Sequence, residues 1–122
     1  MHREYEVTII FNAQISPDIF KKTVEKYETI LLTEGGQVVK KDDWGVKKLA
    51  YPIKKQFRGR YVHYDLLCKP EHLKEAERLM LIDENVLRYL NILLGESVDV
   101  EKRRLELATT EAKALAGQNV GL

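Results

Sequence analysis

The order in which two hydrophobic patterns follow one another constrains the fold of this chain more than any other feature. Residues 3–12 alternate apolar and polar side chains with a period of two, which is typical of a strand with one face in a core. After Ser16 and Pro17, a typical helix start, apolar residues recur at the helical period. The later segments predict two strands, a short helix and a last strand: 37–53, 60–68, a helix opened by Pro70, and 86–94.

Strand, helix, strand, strand, helix, strand is the order of the split βαβ unit. We therefore predict an α+β, ferredoxin-like fold, in which two helices cover one face of a four-stranded antiparallel sheet. In the strand 60–68 the even positions are expected to face the core, and Gly45 predicts a bulge in the strand before it. The expected domain spans 1–96, and 97–122 is expected to form a helical or disordered C-terminal tail.

Positive charge is concentrated in one segment of the chain. The net charge is only +1, but residues 37–60 carry eight cations against Asp42 and Asp43, a net +6, so the remainder sums to −5. Such an asymmetry indicates a surface for an anionic partner that the total charge conceals. The eight cations are Lys40, Lys41, Lys47, Lys48, Lys54, Lys55, Arg58 and Arg60.

Residue types that could support catalysis or bind a metal occur without a workable spacing. The seven glycines never approach the spacing of a phosphate loop or a dinucleotide fingerprint. His63 and Cys68 are five residues apart on one strand and point to opposite faces, while the adjacent Asp42 and Asp43 diverge. Cys68 falls on the expected core face, where a thiol is inert. We therefore expect no catalytic site, no metal site and no cofactor.

Cysteine use and hydropathy limit the compartment. The single cysteine, Cys68, excludes an internal disulfide, and no apolar run approaches the roughly 20 residues needed to cross a bilayer. We expect a protein of the reducing cytoplasm that has neither a membrane partner nor a small-molecule substrate.

A family resemblance appears in the basic segment, where the sequence from Asp43 to Ile53 reads DWGVKKLAYPI. This run resembles the signature of the bacterial small-subunit (30S) ribosomal protein six family. Three further groups of residues support the resemblance, which covers residues 1 to about 96: Arg3, Tyr5 and Glu6; Gly59, Tyr61, Val62 and Tyr64; and Val86, Leu87 and Arg88.

The resemblance implies a ferredoxin-like structural constituent of the ribosome that binds small-subunit ribosomal RNA jointly with ribosomal protein eighteen. By family position, Arg3, Lys54 and Arg88 are the expected RNA contacts. Basic side chains neutralise phosphates and release counterions, so this binding would recognise the phosphates and the shape of the RNA, with little discrimination between bases. The neighbours expected to supply positive potential are Lys55, Arg58 and Arg60.

Four charged residues lie on a strand that this topology places at a sheet edge: Asp42, Asp43, Lys47 and Lys48. Charges at an edge discourage pairing with a second copy of the chain. They also present a charged surface to a protein partner, although ordinary solvated edge charges would look the same.

The wet face of the first strand is expected to carry Glu4, Glu6, Thr8 and Ile10. It lacks the aromatic pair with which a four-stranded sheet stacks bases, so contacts by the hairpin loop, the amino terminus and the strand ends are favoured. Packing is the more frequent role for the remaining aromatic residues: Trp44, Tyr51, Phe57, Tyr61 and Tyr89.

Two other classes of function use the same fold. An acylphosphatase-like hydrolase needs an anion-binding loop with arginine, yet the loop from Asn12 to Ser16 has neither glycine nor arginine. A small-molecule sensing module that dimerises through its sheet could use the apolar last strand, and a stable homodimer would favour it. The sensing module would leave the basic segment without a role.

Overall fold

A computed structural model describes residues 2–95 of the chain. The expected tail, 97–122, and the expected boundary at residue 96 lie outside this range. The six elements, in order, are β1 (Arg3–Asn12), α1 (Pro17–Leu31), β2 (Gln37–Ile53), β3 (Gln56–Cys68), α2 (Pro70–Ile82) and β4 (Val86–Gly95). Neither helix of the described range is long and apolar enough to cross a membrane.

The four strands form one antiparallel sheet in the order β2-β3-β1-β4. Both helices supply side chains to a single core on one face of this sheet. The predicted ferredoxin-like α+β fold is therefore confirmed, and β2 is an edge strand as predicted. We call the side of the sheet away from the helices the open face.

The main core lies between the helices and the odd-numbered positions of β1. Val7, Ile9 and Phe11 are at most 1% exposed, and Tyr27 and Leu31 of α1 pack in the same cluster. The period-two pattern of β1 fixed this face, because a shift of one residue would bury its acidic residues instead.

The predicted core positions of β3 are also confirmed, since Val62, Tyr64, Leu66 and Cys68 are all at most 1% exposed. Burial in this apolar core raises the pKa of the Cys68 thiol to about 12. A thiol that stays protonated and enclosed is a poor nucleophile, as the sequence predicted.

Helix α1 begins where the sequence predicts. The Ser16 hydroxyl accepts a hydrogen bond from the backbone N–H of Ile19, and Pro17 occupies the first turn. Past the helix end, Glu34 and Gly35 have positive φ angles, which turn the chain towards β2. A Cβ at Gly36 would lie 2.8 Å from the Leu67 carbonyl oxygen, so only glycine fits this close approach.

The connection between β2 and β3 differs from the prediction. The sequence predicts strands over 37–53 and 60–68, but β3 begins at Gln56 and the turn consists of Lys54 and Lys55 alone. Both lysines have positive φ angles, 48° and 64°, as a two-residue hairpin turn with right-handed twist requires. Arg58 therefore lies on a strand and not in a loop, and Arg60 lies on the same strand, in accordance with the prediction.

Ile10 also departs from the prediction, because it is buried and not on a wet face. The hairpin of β2 and β3 extends beyond the end of β1, and its register shifts between Lys48 and Ile53. This irregularity brings Leu49 onto Ile10 and Leu87, and the three form a second, smaller core. We call the segment that covers it, residues 49–56, the hairpin arch.

Gly45 forms the predicted bulge. The register of β2 against β3 shifts between Asp43 and Gly45, and Gly45 has a φ of 74°. The Asp43 carboxylate accepts a hydrogen bond from the Gly45 N–H at 2.9 Å, which holds the bulge in place.

Candidate nucleic-acid interface

The hairpin arch is attached to the start of β4 by two side-chain hydrogen bonds. The Lys54 ammonium donates to the Val86 carbonyl oxygen at 2.9 Å, and the Arg88 guanidinium donates to the Tyr51 hydroxyl. Both cations were predicted to contact RNA from positions 34 residues apart in sequence. The fold therefore brings them to one end of the sheet.

Both partners are neutral, so these hydrogen bonds leave the positive charges uncompensated. An ammonium has three N–H donors and a guanidinium has five, and one of each is used here. Lys54 and Arg88 thus keep free donors for an anion while the protein fixes their position. Such preorganisation lowers the entropic cost of ordering a long side chain on binding.

Lys55 and Arg58 extend the positive surface around the turn. Both side chains are exposed, and within residues 2–95 neither forms an ion pair. Lys54 and Lys55 both have left-handed backbone conformations. Each such conformation at a residue other than glycine costs of order 1 kcal/mol of folding free energy. We call Lys54, Lys55, Arg58 and Arg88 the basic end of the sheet.

Arg60 lies apart from the basic end. It pairs with Phe11 in the sheet and so lies on the helix side, where its guanidinium is 3.8 Å from the centre of the Phe20 ring. It also forms an ion pair with Asp43 at 2.5 Å. The hydrogen bond from Arg60 holds the pKa of the Asp43 carboxyl below its usual range. The positive charge of Arg60 is therefore largely compensated within the protein.

Arg3 is also separated from the basic end. It pairs with Cys68 at the start of β1, whereas Arg88 pairs with Ile10 near the end of that strand. Seven residues of extended chain put roughly 23 Å between the two ends. Arg3 and Arg88 could contact the same RNA only at well-separated points.

Two more cations of the basic segment form ion pairs. Lys41 pairs with Glu28 of α1 at 2.7 Å, and Lys40 lies 3.5 Å from Asp42. Of the eight cations of the basic segment, Lys40, Lys41 and Arg60 are thus paired with carboxylates, whereas within residues 2–95 the other five have no carboxylate partner. Sequence alone could not predict this division, because the partner carboxylates depend on strand register and on helix packing.

The four predicted partner-edge residues do not share one side of β2. Asp42 lies opposite His63 and faces the open side, whereas Asp43 bonds to Arg60 on the helix side. The Lys47 ammonium lies 4.9 Å from the centre of the Trp44 ring, and Lys48 is exposed opposite Arg58.

The open face carries an aromatic stack that sequence analysis did not predict. The Trp44 ring lies parallel to the His63 ring at 4.9 Å between centroids and also stacks on Tyr61 at 6.3 Å. The Thr8 hydroxyl and His63 Nδ1 share a hydrogen bond of 2.9 Å. The rings come from β2 and β3, so the side-chain pattern of β1 does not predict the stack.

The sequence also gives no signal for a group of possible metal ligands, because its members come from two separate parts of the chain. Glu34, Glu71 and His72 place ligand atoms within 4.8 Å of one another. The Lys69 ammonium already forms an ion pair with Glu34 and lowers the pKa of that carboxyl. A lysine thus supplies positive charge where a metal ion would have to bind.

The comparisons with known proteins agree on one family. The family model for ribosomal protein S6 matches residues 4–92. The small ribosomal subunit protein bS6 of Desulfosudis oleivorans is 34% identical over 116 residues, which cover 95% of this chain and 69% of the relative. The bS6 protein of Caldanaerobacter subterraneus is 34% identical over 90 residues, which cover 74% of this chain and 95% of the relative.

A solved structure gives the same fold. The crystal structure of ribosomal protein S6 from Thermotoga maritima matches with a TM-score of 0.69 at 23% identity, over 94% of this chain and 99% of the other. The expectation that the chain is not an enzyme is confirmed by the sequence relatives, and the hydrolase alternative is wrong. The chain belongs to the ribosomal protein S6 family, whose members are structural, non-enzymatic constituents of the small subunit of the cytoplasmic ribosome.

Proposed function

We propose that this chain binds small-subunit ribosomal RNA through the basic end of its sheet, and that it does so together with ribosomal protein eighteen. RNA phosphates would contact Lys54 and Arg88 first, with Lys55 and Arg58 adding positive potential. Arg3 would make a separate contact at the far end of β1. Arg60 would act indirectly, through the shape of the hairpin.

One observation carries the RNA proposal. The two predicted RNA contacts that the fold brings together both have neutral partners, whereas Arg60, Lys40 and Lys41 are paired with carboxylates. Uncompensated cations on one surface are what phosphate binding requires, because they release the counterions of the RNA.

The partner proposal is supported by the position of β2 at the sheet edge. An edge strand offers backbone N–H and C=O groups to another chain, and its charges select which chain can pair there. We propose that ribosomal protein eighteen contacts this edge at Asp42, Lys47 and Lys48, with Asp43 held in place by Arg60.

The RNA proposal is tested by measuring affinity for a central-domain fragment of small-subunit ribosomal RNA, with and without ribosomal protein eighteen, across a salt series. We expect tight, salt-sensitive binding that depends on the partner and exceeds binding to an unrelated RNA. Replacing Arg88 with glutamine should weaken binding roughly 3- to 10-fold and reduce the salt slope by about one counterion.

Arg78→Gln is the matched control, since it removes the same charge from α2, where Arg78 is bonded to Glu75. It should leave both affinity and salt slope unchanged. Equal affinity for the two RNAs would contradict the proposal. In the same assay, Lys48→Glu should weaken association with ribosomal protein eighteen, and unchanged association would remove Lys48 from the partner edge.

A further inference from the structure

We propose that a cleft beside the basic end binds a single unpaired nucleotide of the RNA, with its phosphate on Lys54 and Arg88 and its base against Leu81 and Tyr89. This inference rests on the proposed RNA-binding function and names the part of the RNA that the site takes. The cleft lies where the end of α2, the start of β4 and the hairpin arch meet.

The cleft is large enough for one nucleobase. Its volume is about 180 Å³, and its floor is formed by the buried side chains of Met80 and Val86. Tyr89 is partly buried against the main core, so its ring is a fixed wall. A floor and wall that already pack in the core need no ordering when a ligand binds.

Apolar exposure next to uncompensated charge is the observation that favours a whole nucleotide over a phosphate alone. Leu81 is 69% exposed at the end of α2, and it lines the same cleft as Lys54 and Arg88. An exposed leucine side chain does not contribute to phosphate binding. A nucleotide joins the two chemistries, because its base packs on apolar surface while its phosphate requires cations.

The edge position of β4 adds hydrogen-bonding groups to the cleft. Within the described sheet β4 pairs with β1 alone, so one row of its backbone N–H and C=O groups has no strand partner. The Val86 carbonyl of this strand already bonds to Lys54. A base that entered the cleft could therefore bond its edge to the β4 backbone, which an ordered helical base pair could not do.

The test uses the full chain, ribosomal protein eighteen and the central-domain RNA fragment. Leu81→Ala is compared with Ile82→Ala, the neighbouring helix residue, which is 73% exposed but does not line the cleft. Affinity, salt slope and the chemical reactivity of each nucleotide's 2′-hydroxyl are measured for both variants and for Leu81→Met. Thermal midpoints verify that all three fold.

We expect Leu81→Ala to weaken RNA binding roughly 3- to 10-fold at an unchanged salt slope, because a base contact is lost and no phosphate contact is. One nucleotide that the wild-type protein protects should become reactive again. Ile82→Ala and Leu81→Met should bind as the wild type does.

Wild-type affinity and protection in Leu81→Ala would overturn the cleft proposal while leaving RNA binding by the basic end intact. Failure of the wild-type protein to prefer this RNA would instead overturn the proposed function. If Leu81→Ala weakened association with ribosomal protein eighteen in the absence of RNA, the cleft would bind a peptide segment, and the nucleotide proposal would be wrong.

Discussion

At the scale of single residues, the partner of each cation matters more than the number of cations. Arg60 and Arg88 have the same side chain and lie on opposite faces of one sheet, yet of the two only Arg60 is bonded to a carboxylate within residues 2–95. An anion that approached Arg60 would have to displace Asp43. Among the described residues, Arg88 has no ion pair that an anion would have to break.

The bond between Arg60 and Asp43 has a measurable effect on titration. Replacing Arg60 with glutamine should raise the pKa of Asp43 in the folded protein towards its ordinary value, because the hydrogen bond from Arg60 is the largest cause of its depression. A depressed carboxyl pKa stabilises the fold above the ordinary value of about 4 and ceases to do so as pH falls through the folded-state pKa. The variant should therefore lose less stability than the wild type over that acid range.

The measurements are a carboxyl NMR titration of Asp43 and urea unfolding at several pH values. Arg78→Gln is the control, and it should leave the titration of Asp43 unchanged. An unaltered Asp43 titration in Arg60→Gln would show that this exposed ion pair does not persist in solution.

At the scale of elements, the hairpin arch shows where sequence reasoning reached its limit. Strand and helix order could be predicted because each core-facing segment has a regular period, as in β1 and α1. The arch has no such period, since its register against β3 shifts between Lys48 and Ile53. The one signal in the sequence was Ile10, an apolar residue on a face otherwise occupied by Glu4, Glu6 and Thr8.

Leu49 should be the residue that keeps the arch packed against the sheet. Its side chain is 6% exposed and packs against Ile10 and Leu87. Leu49→Ala should therefore lower the free energy of unfolding by about 2 kcal/mol. This is the low end for a buried leucine, because the smaller core lies near the surface. Amide protons of the arch should exchange faster, and RNA affinity should fall because Lys54 loses its fixed position.

Leu90→Ala is the matched control for this change. Leu90 lies on the same side of the sheet but is 46% exposed, so its loss should alter the free energy of unfolding by no more than about 0.5 kcal/mol. Equal effects of the two substitutions in urea unfolding would show that the arch does not form a core of its own.

At the scale of the whole molecule, the two faces of the sheet are covered by different kinds of side chains. The helix face is filled by the main core, and the core positions of β1 and β3 could be predicted from alternation alone. The open face is divided between the smaller core, the stack of Trp44 with His63, and the exposed apolar residues Leu90 and Ile92. These features depend on which strands lie side by side, so they followed from the topology and not from any one strand's pattern.

The domain boundary is also a property of the whole molecule. We propose that residues 1–96 fold on their own. Every buried apolar residue of the described range lies between Tyr5 and Leu87, and a bS6 relative is covered to 95% of its length by an alignment of 90 residues. The segment 97–122 carries four cations and four acidic residues, so its removal leaves the net charge at +1. A chain that ends at Glu96 should keep its thermal midpoint within about 2 °C, since no described core contact is lost. Calorimetry of the full chain and of the shortened chain measures both thermal midpoints. A midpoint lower by about 10 °C or more in the shortened chain would show that the domain extends past residue 96.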